Sequence, residues 1–118
     1  MKEKVVHEDN VPKTPSKYGG SLKELVKERY LHLLIGYFEP GESMKAHVHT
    51  VPEEIYYVLS GKGEMVLGDR TIPIEAGMAI YIPPNVVHAP RNTGTEKLVI
   101  AFIHSPPETG EYMRVTEK

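Results

Sequence analysis

Hydrophobic and polar residues alternate with a period of two along much of this chain, as on strands with one buried face. The pattern is clearest from Glu54 to Ser60, where Glu54, Tyr56 and Val58 share one parity and Ile55, Tyr57 and Leu59 the other. Leu31 to Phe38 is a near-continuous apolar run closed by Pro40-Gly41. Lys45 to Thr50, Glu64 to Leu67, Thr71 to Ile74 and Met78 to Ile82 read as further short strands. Val86 to Ala89 is shorter still, and Glu96 to His104 is the last strand, stopped by Ser105-Pro106-Pro107. Gly61-Lys62-Gly63 carries a hairpin signal, Gly68-Asp69 a second turn, and Arg91 to Thr95 reads as a turn. The first twenty residues look irregular. Ser21-Leu22-Lys23-Glu24 has the form of a helix capping box, so residues 21–29 read as either a short helix or a strand.

Many short strands with Gly and Pro at the turns point to an all-β sandwich or barrel. A sheet closed on itself hides its edges and leaves an interior wide enough for a ligand or metal. The chain is long enough for one domain with one core. The expected organisation is an N-terminal arm over residues 1–30, a barrel over 31–106 and a polar, peripheral tail over 107–118.

Composition narrows the function. The net charge of −2 comes without a basic stripe or charge block, which argues against nucleic acid. The longest apolar run, Leu98 to Ile103, is far too short to span a bilayer, and Met1-Lys2-Glu3-Lys4 leads into no apolar signal region. A cytoplasmic protein is expected. With no cysteine, a metal site must use nitrogen and oxygen. Acid is carried by Glu far more than Asp and Gln is absent, a bias compatible with a heat-adapted source.

The chemistry sits in His47, His49, Glu54 and His88. Three imidazoles and a carboxylate form a complete ligand set for a transition metal. His47 and His49 lie two apart, so one strand can present both to one ion. Burying these groups with no metal would be costly.

The same residues resemble the cupin superfamily. Its first motif, G-x5-H-x-H-x(3,4)-E-x6-G, is filled by Gly41, His47, His49, Glu54 and Gly61. Its second, G-x5-P-x-G-x2-H-x3-N, is met by Gly77, Pro83, His88 and Asn92. Asn85 replaces the usual Gly, a mild departure because Asn tolerates positive φ. Met78 stands where an acidic residue often follows the glycine, a change expected to touch turn stability and not the metal. The resemblance implies a small single-domain double-stranded β-helix barrel of jelly-roll, RmlC-like type. It implies His47, His49, Glu54 and His88 as ligands of one divalent transition metal per chain, one of Fe, Mn, Ni, Co, Zn or Cu. It also implies a homodimer, with Lys4 to Val11 as a strand that subunits could exchange.

Around the ligands, Tyr56 shares the inward parity of Glu54. It reads either as a group for a substrate oxygen or as a packed aromatic. His104 is in phase with Ile100 and Phe102 and is a candidate proton carrier, although an end-of-strand surface residue is the expected reading. Glu53, on the face opposite Glu54, His7, His32 and Arg91 are expected to be outside the chemistry. A site of this kind suits a small anionic or polyoxygenated ligand. Three functions follow: a dioxygenase or decarboxylase, a Lewis-acid isomerase or lyase, and a non-catalytic metal or small-ligand binding module.

Overall fold

In a computed structural model, which describes residues 2–116, the chain forms two antiparallel sheets facing one another. In chain order the strands are β1 (Thr14–Pro15), β2 (Ser21–Lys27), β3 (His32–Phe38), β4 (His47–His49), β5 (Glu53–Ser60), β6 (Lys62–Leu67), β7 (Arg70–Glu75), β8 (Ala79–Ile82), β9 (His88–Arg91), β10 (Leu98–Ser105) and β11 (Met113–Val115). One sheet has the order β1-β2-β3-β10-β5-β8 and the other β11-β4-β9-β6-β7. This is the expected all-β jelly-roll, double-stranded β-helix barrel. Among the described residues the only helical turn is the 3-10 turn Glu8–Asn10, and no helix is long and apolar enough to cross a membrane.

The alternation does what its period requires. Along β5, Glu54, Tyr56 and Val58 are buried while Glu53, Ile55, Tyr57 and Leu59 are exposed. Phe38, Val58, Met65, Leu98 and Ile100 are fully enclosed and close one end of the barrel. Each such side chain stabilises the fold by roughly 1.5–3 kcal/mol. Polar residues on the inward parity gather toward the other end, which makes that end the site.

Residues 21–27, left open between helix and strand, are a strand paired with β3. Three features depart from the sequence reading. The hairpin expected at Gly61-Lys62-Gly63 does not form, because β5 pairs with β10 and β8 while β6 pairs with β7 and β9. Gly61 instead passes the chain from one sheet to the other. Its φ of +84° and the Lys97 carbonyl, 2.4 Å from where a Cβ would stand, both require glycine. The turn read at Arg91 starts one residue later, since Arg91 is the last residue of β9 and is exposed. Finally, the tail is not merely peripheral: β11 pairs with β4, placing Met113 opposite His49 and Val115 opposite His47. Residues 1, 117 and 118 of the expected arm and tail lie outside the described residues. Within the segment Lys4 to Val11, Glu8 accepts from Tyr37 Oη at 2.5 Å and Lys4 pairs with Glu28.

Gly68 does close a β6–β7 hairpin. Asn85 takes φ +68°, as its place in the second motif demands. Its backbone N–H donates to the His49 carbonyl at 2.8 Å, tying the Pro83-Pro84 corner to β4.

Asn92, the last residue of the second motif, is structural. Its buried amide donates to the carbonyls of Phe38 (2.7 Å) and Glu96 (2.8 Å) and accepts from Gly94 N at 2.9 Å. Asn92→Ala leaves these backbone groups without partners and is expected to destabilise the fold by about 3 kcal/mol. Chemical denaturation of the two proteins checks this, and an unchanged midpoint would show the loop does not depend on that amide.

Candidate metal centre and cavity

Each motif side chain is delivered by a strand whose pairing fixes its direction. His47 and His49 point inward from β4, and His88 lies directly across from His47 on β9. Glu54 comes from β5 in the facing sheet. All four are buried. The ring centroids of His47 and His88 are 4.2 Å apart, and His49 is 5.1 Å from each. Potential ligand nitrogens of these three imidazoles lie within 4.8 Å of one another. Nε2 of His88 and of His49 stand 3.0 and 3.3 Å from Glu54 Oε1.

Three outward hydrogen bonds set this arrangement. Nδ1 of His47 donates to the Lys45 carbonyl at 2.7 Å, and Nδ1 of His88 to the Val86 carbonyl at 2.9 Å. Nδ1 of His49 donates to Glu108 Oε1 at 2.5 Å. Carbonyl and carboxylate oxygens only accept, so each ring carries a proton on Nδ1 and turns Nε2 inward, bare in His47 and His88 and set against the Glu54 carboxylate in His49. That is how metal-ligating histidines are oriented. His88 Nε2 and Glu54 Oε1 are both buried without a hydrogen-bond partner, a costly state that a cation would relieve. The donor set, nitrogen and oxygen without thiolate, suits a divalent transition metal. These buried residues could hold one.

The structure brings in residues that the sequence reading placed outside the site or did not name. His104, a candidate proton carrier, was expected at the surface. It is buried on β10, between β3 and β5, and its Nε2 lies 2.7 Å from Glu54 Oε2. His49, Glu54 and His104 form a second group of close potential ligands. His32, expected to be outside the site, is also buried: it lies across from His104 in the sheet, with ring centroids 5.6 Å apart. Its Nε2 donates to Glu24 at 2.8 Å. Glu108, in the polar tail, had no periodic signal to mark it. It accepts from His49 and also from the backbone of Gly110 and Tyr112. Tyr56 points inward, packed edge-on to His88 and against Phe102. Glu53 is exposed and accepts from Tyr81 Oη, and His7 is exposed, as expected.

The centre opens on a cavity of about 250 Å³, lined by side chains of both sheets and of the tail. Electrostatics follow from burial. Desolvation, with His88 beside it, pushes His47 down to about 3. Burial works against the Glu54 charge, but the imidazoles of His104, His49 and His88 outweigh it and hold the carboxyl well below the carboxylate range. Burial pulls His49 down, yet Glu54 and Glu108 overcome it and leave the ring above its ordinary value. Burial, then the Glu54 charge, raises Tyr56 well above the usual phenol.

These shifts carry a sign. The folded chain refuses a proton at His47, so its contribution is lost as pH falls from about 6.5 toward 3. The lowered Glu54 contributes above about 4.5 and loses that contribution below it. His49, being raised, opposes them in acid. Below about 4.5 both groups act against His49, so the metal-free protein is expected to melt several degrees lower at about pH 3.5 than at pH 7. Thermal unfolding across that range checks it; a melting point that rises on acidification would contradict these assignments.

Comparison with known proteins agrees with the architecture. The family pattern described as a cupin domain matches residues 34–104. A polyketide synthase component, CurC of Streptomyces cyaneus, is 33% identical over 95 residues, covering 76% of this chain and 62% of that protein. A glucose-6-phosphate isomerase of Thermococcus gammatolerans is 38% identical over 81 residues, covering 63% of this chain and 43% of that protein. The chain therefore spans less than two thirds of these curated relatives. Among solved structures, the polyketide cyclase RemF of Streptomyces resistomycificus superposes with a TM-score of 0.83 at 23% identity, covering 99% of this chain and 87% of its own.

Proposed function

The chain belongs to the cupin family, and from that premise we propose that it is a metal-dependent enzyme moving a proton on a small oxygen-bearing molecule, as an isomerase or lyase does. His47, His49, Glu54 and His88 would hold one divalent transition metal. When bound, such an ion polarises a substrate oxygen as a Lewis acid.

One observation carries the reading. A row of polar side chains runs across neighbouring strands from the centre to the surface: Glu54 on β5, His104 on β10, His32 on β3 and Glu24 on β2. Glu24 is half exposed, whereas the two histidines are buried. Proton chemistry at a closed site needs groups that pass charge to solvent, and imidazoles suit that role. His104 accepts or returns a proton beside Glu54, His32 stands behind it, and Glu24 orients His32. Tyr56, held in its protonated form, supplies a neutral wall. The relatives named as isomerase and cyclase point the same way.

A second reading, dioxygenase or decarboxylase, draws support from the mixed nitrogen and oxygen donors, which also suit iron or manganese. A homodimer belongs to the same proposal. The outer face of β5 and β8 exposes Ile55, Tyr57, Leu59 and Tyr81, apolar surface that a second copy would cover.

Two experiments test this. His88→Ala is expected to abolish metal uptake, and Glu108→Gln to weaken it by about 10–100-fold, both measured by competition with a chelator. Unchanged uptake in His88→Ala overturns the ligand assignment. Separately, the metal-loaded protein in D2O without oxygen is expected to exchange protons next to the carbonyl of small ketones, read by NMR, and His104→Phe to lose that exchange while keeping its metal. Oxygen uptake with a carboxylate and catechol panel, without exchange, supports the second reading instead.

A further inference from the structure

The wall of the cavity says what kind of body its occupant has. Leu22, Leu34, Met44, Phe102 and Met113 form the apolar part of the lining beyond the centre. The acids on that lining, apart from Glu54, are Glu24 and Glu108. Among the described residues its single lysine is Lys17, an exposed residue of the segment between β1 and β2 whose Nζ lies over the Tyr18 ring at 5.2 Å, and no described arginine lines the chamber. A phosphate or carboxylate on the body of a ligand would meet these apolar side chains and two acids, while the buried imidazoles beside it, His32 and His104, already face Glu24 and Glu54. Desolvating such a charge without a partner is strongly unfavourable. The volume, about 250 Å³, equals roughly eight waters at ~30 Å³ each. That is room for one substituted ring.

We propose that the substrate is uncharged away from the reacting oxygens, with a compact apolar body about the size of a single ring. This rests on the reading of the centre given above and narrows it: the charged half of the ligand class expected from sequence is disfavoured, and the neutral oxygen-rich half is retained. A body without charge separates this chain from the relative named as a glucose-6-phosphate isomerase, whose named substrate carries a phosphate.

A matched pair of probes tests the body while holding the metal-binding head constant. Zinc-loaded protein, its metal content verified by elemental analysis, is titrated calorimetrically with 4-methylcatechol and with 3,4-dihydroxybenzoate. The methyl compound is expected to bind about tenfold tighter or more. Lys17→Ala is expected to leave that affinity within about twofold, as for an exposed side chain outside the contact. Leu34→Asn is expected to lower it by about tenfold, with a melting curve to verify folding. Equal or tighter binding of the carboxylate, loss of affinity in Lys17→Ala, or binding of neither probe overturns the proposal. If no zinc is taken up, the metal reading fails by itself. The comparison is then made with toluene and benzoate on the metal-free protein, where preference for toluene still supports an apolar body and preference for benzoate refutes it.

Discussion

The outward hydrogen bonds from Nδ1 of His47, His49 and His88 are the constraint on which the site depends. Without them an imidazole inside a barrel is free to present either nitrogen. With them, the Nε2 atoms of all three rings converge on the side of Glu54. Two of the acceptors are carbonyls two residues back along the same chain, Lys45 and Val86. The site is therefore written into local backbone geometry and stabilised by the pairing of β4 with β9. The third acceptor, Glu108, comes from a segment far off in sequence, so folding the tail over the barrel is also what finishes the centre.

That dependence explains the electrostatics. A buried carboxylate survives because imidazoles surround it, and His47 stays neutral because it is buried among other rings. His49, held between two carboxylates, favours its proton, so a cation entering the site must displace it. The fold thus presents one ring poised to release a proton and another with none to release.

The convergence of the candidate ligand residues and the barrel were legible because both obey local rules. The two-residue spacing of His47 and His49 marks a strand, the parity of Glu54 marks the inner face, and the motif glycines mark corners. Asn85 was readable for the same reason, since few residues other than glycine accept its φ. What escaped was non-local. The phase of His104 placed it inward, but its neighbours, Glu54 on one side and His32 on the other, come from strands far off in sequence. Glu108 lies in a polar stretch with no period, and its role exists only once β11 pairs with β4. Gly61 looked like a hairpin because the adjoining runs alternate; a sequence pattern does not state which sheet the next strand joins.

The most direct test of this account is the tautomer of each buried ring, read by long-range proton–nitrogen NMR of protein with labelled histidines. The account requires the proton on Nδ1 in His47 and His88, and Nε2 signals of His47, His49 and His88 that shift together when zinc is added. Protons on Nε2 of His47 and His88, or Nε2 signals indifferent to zinc, would contradict it.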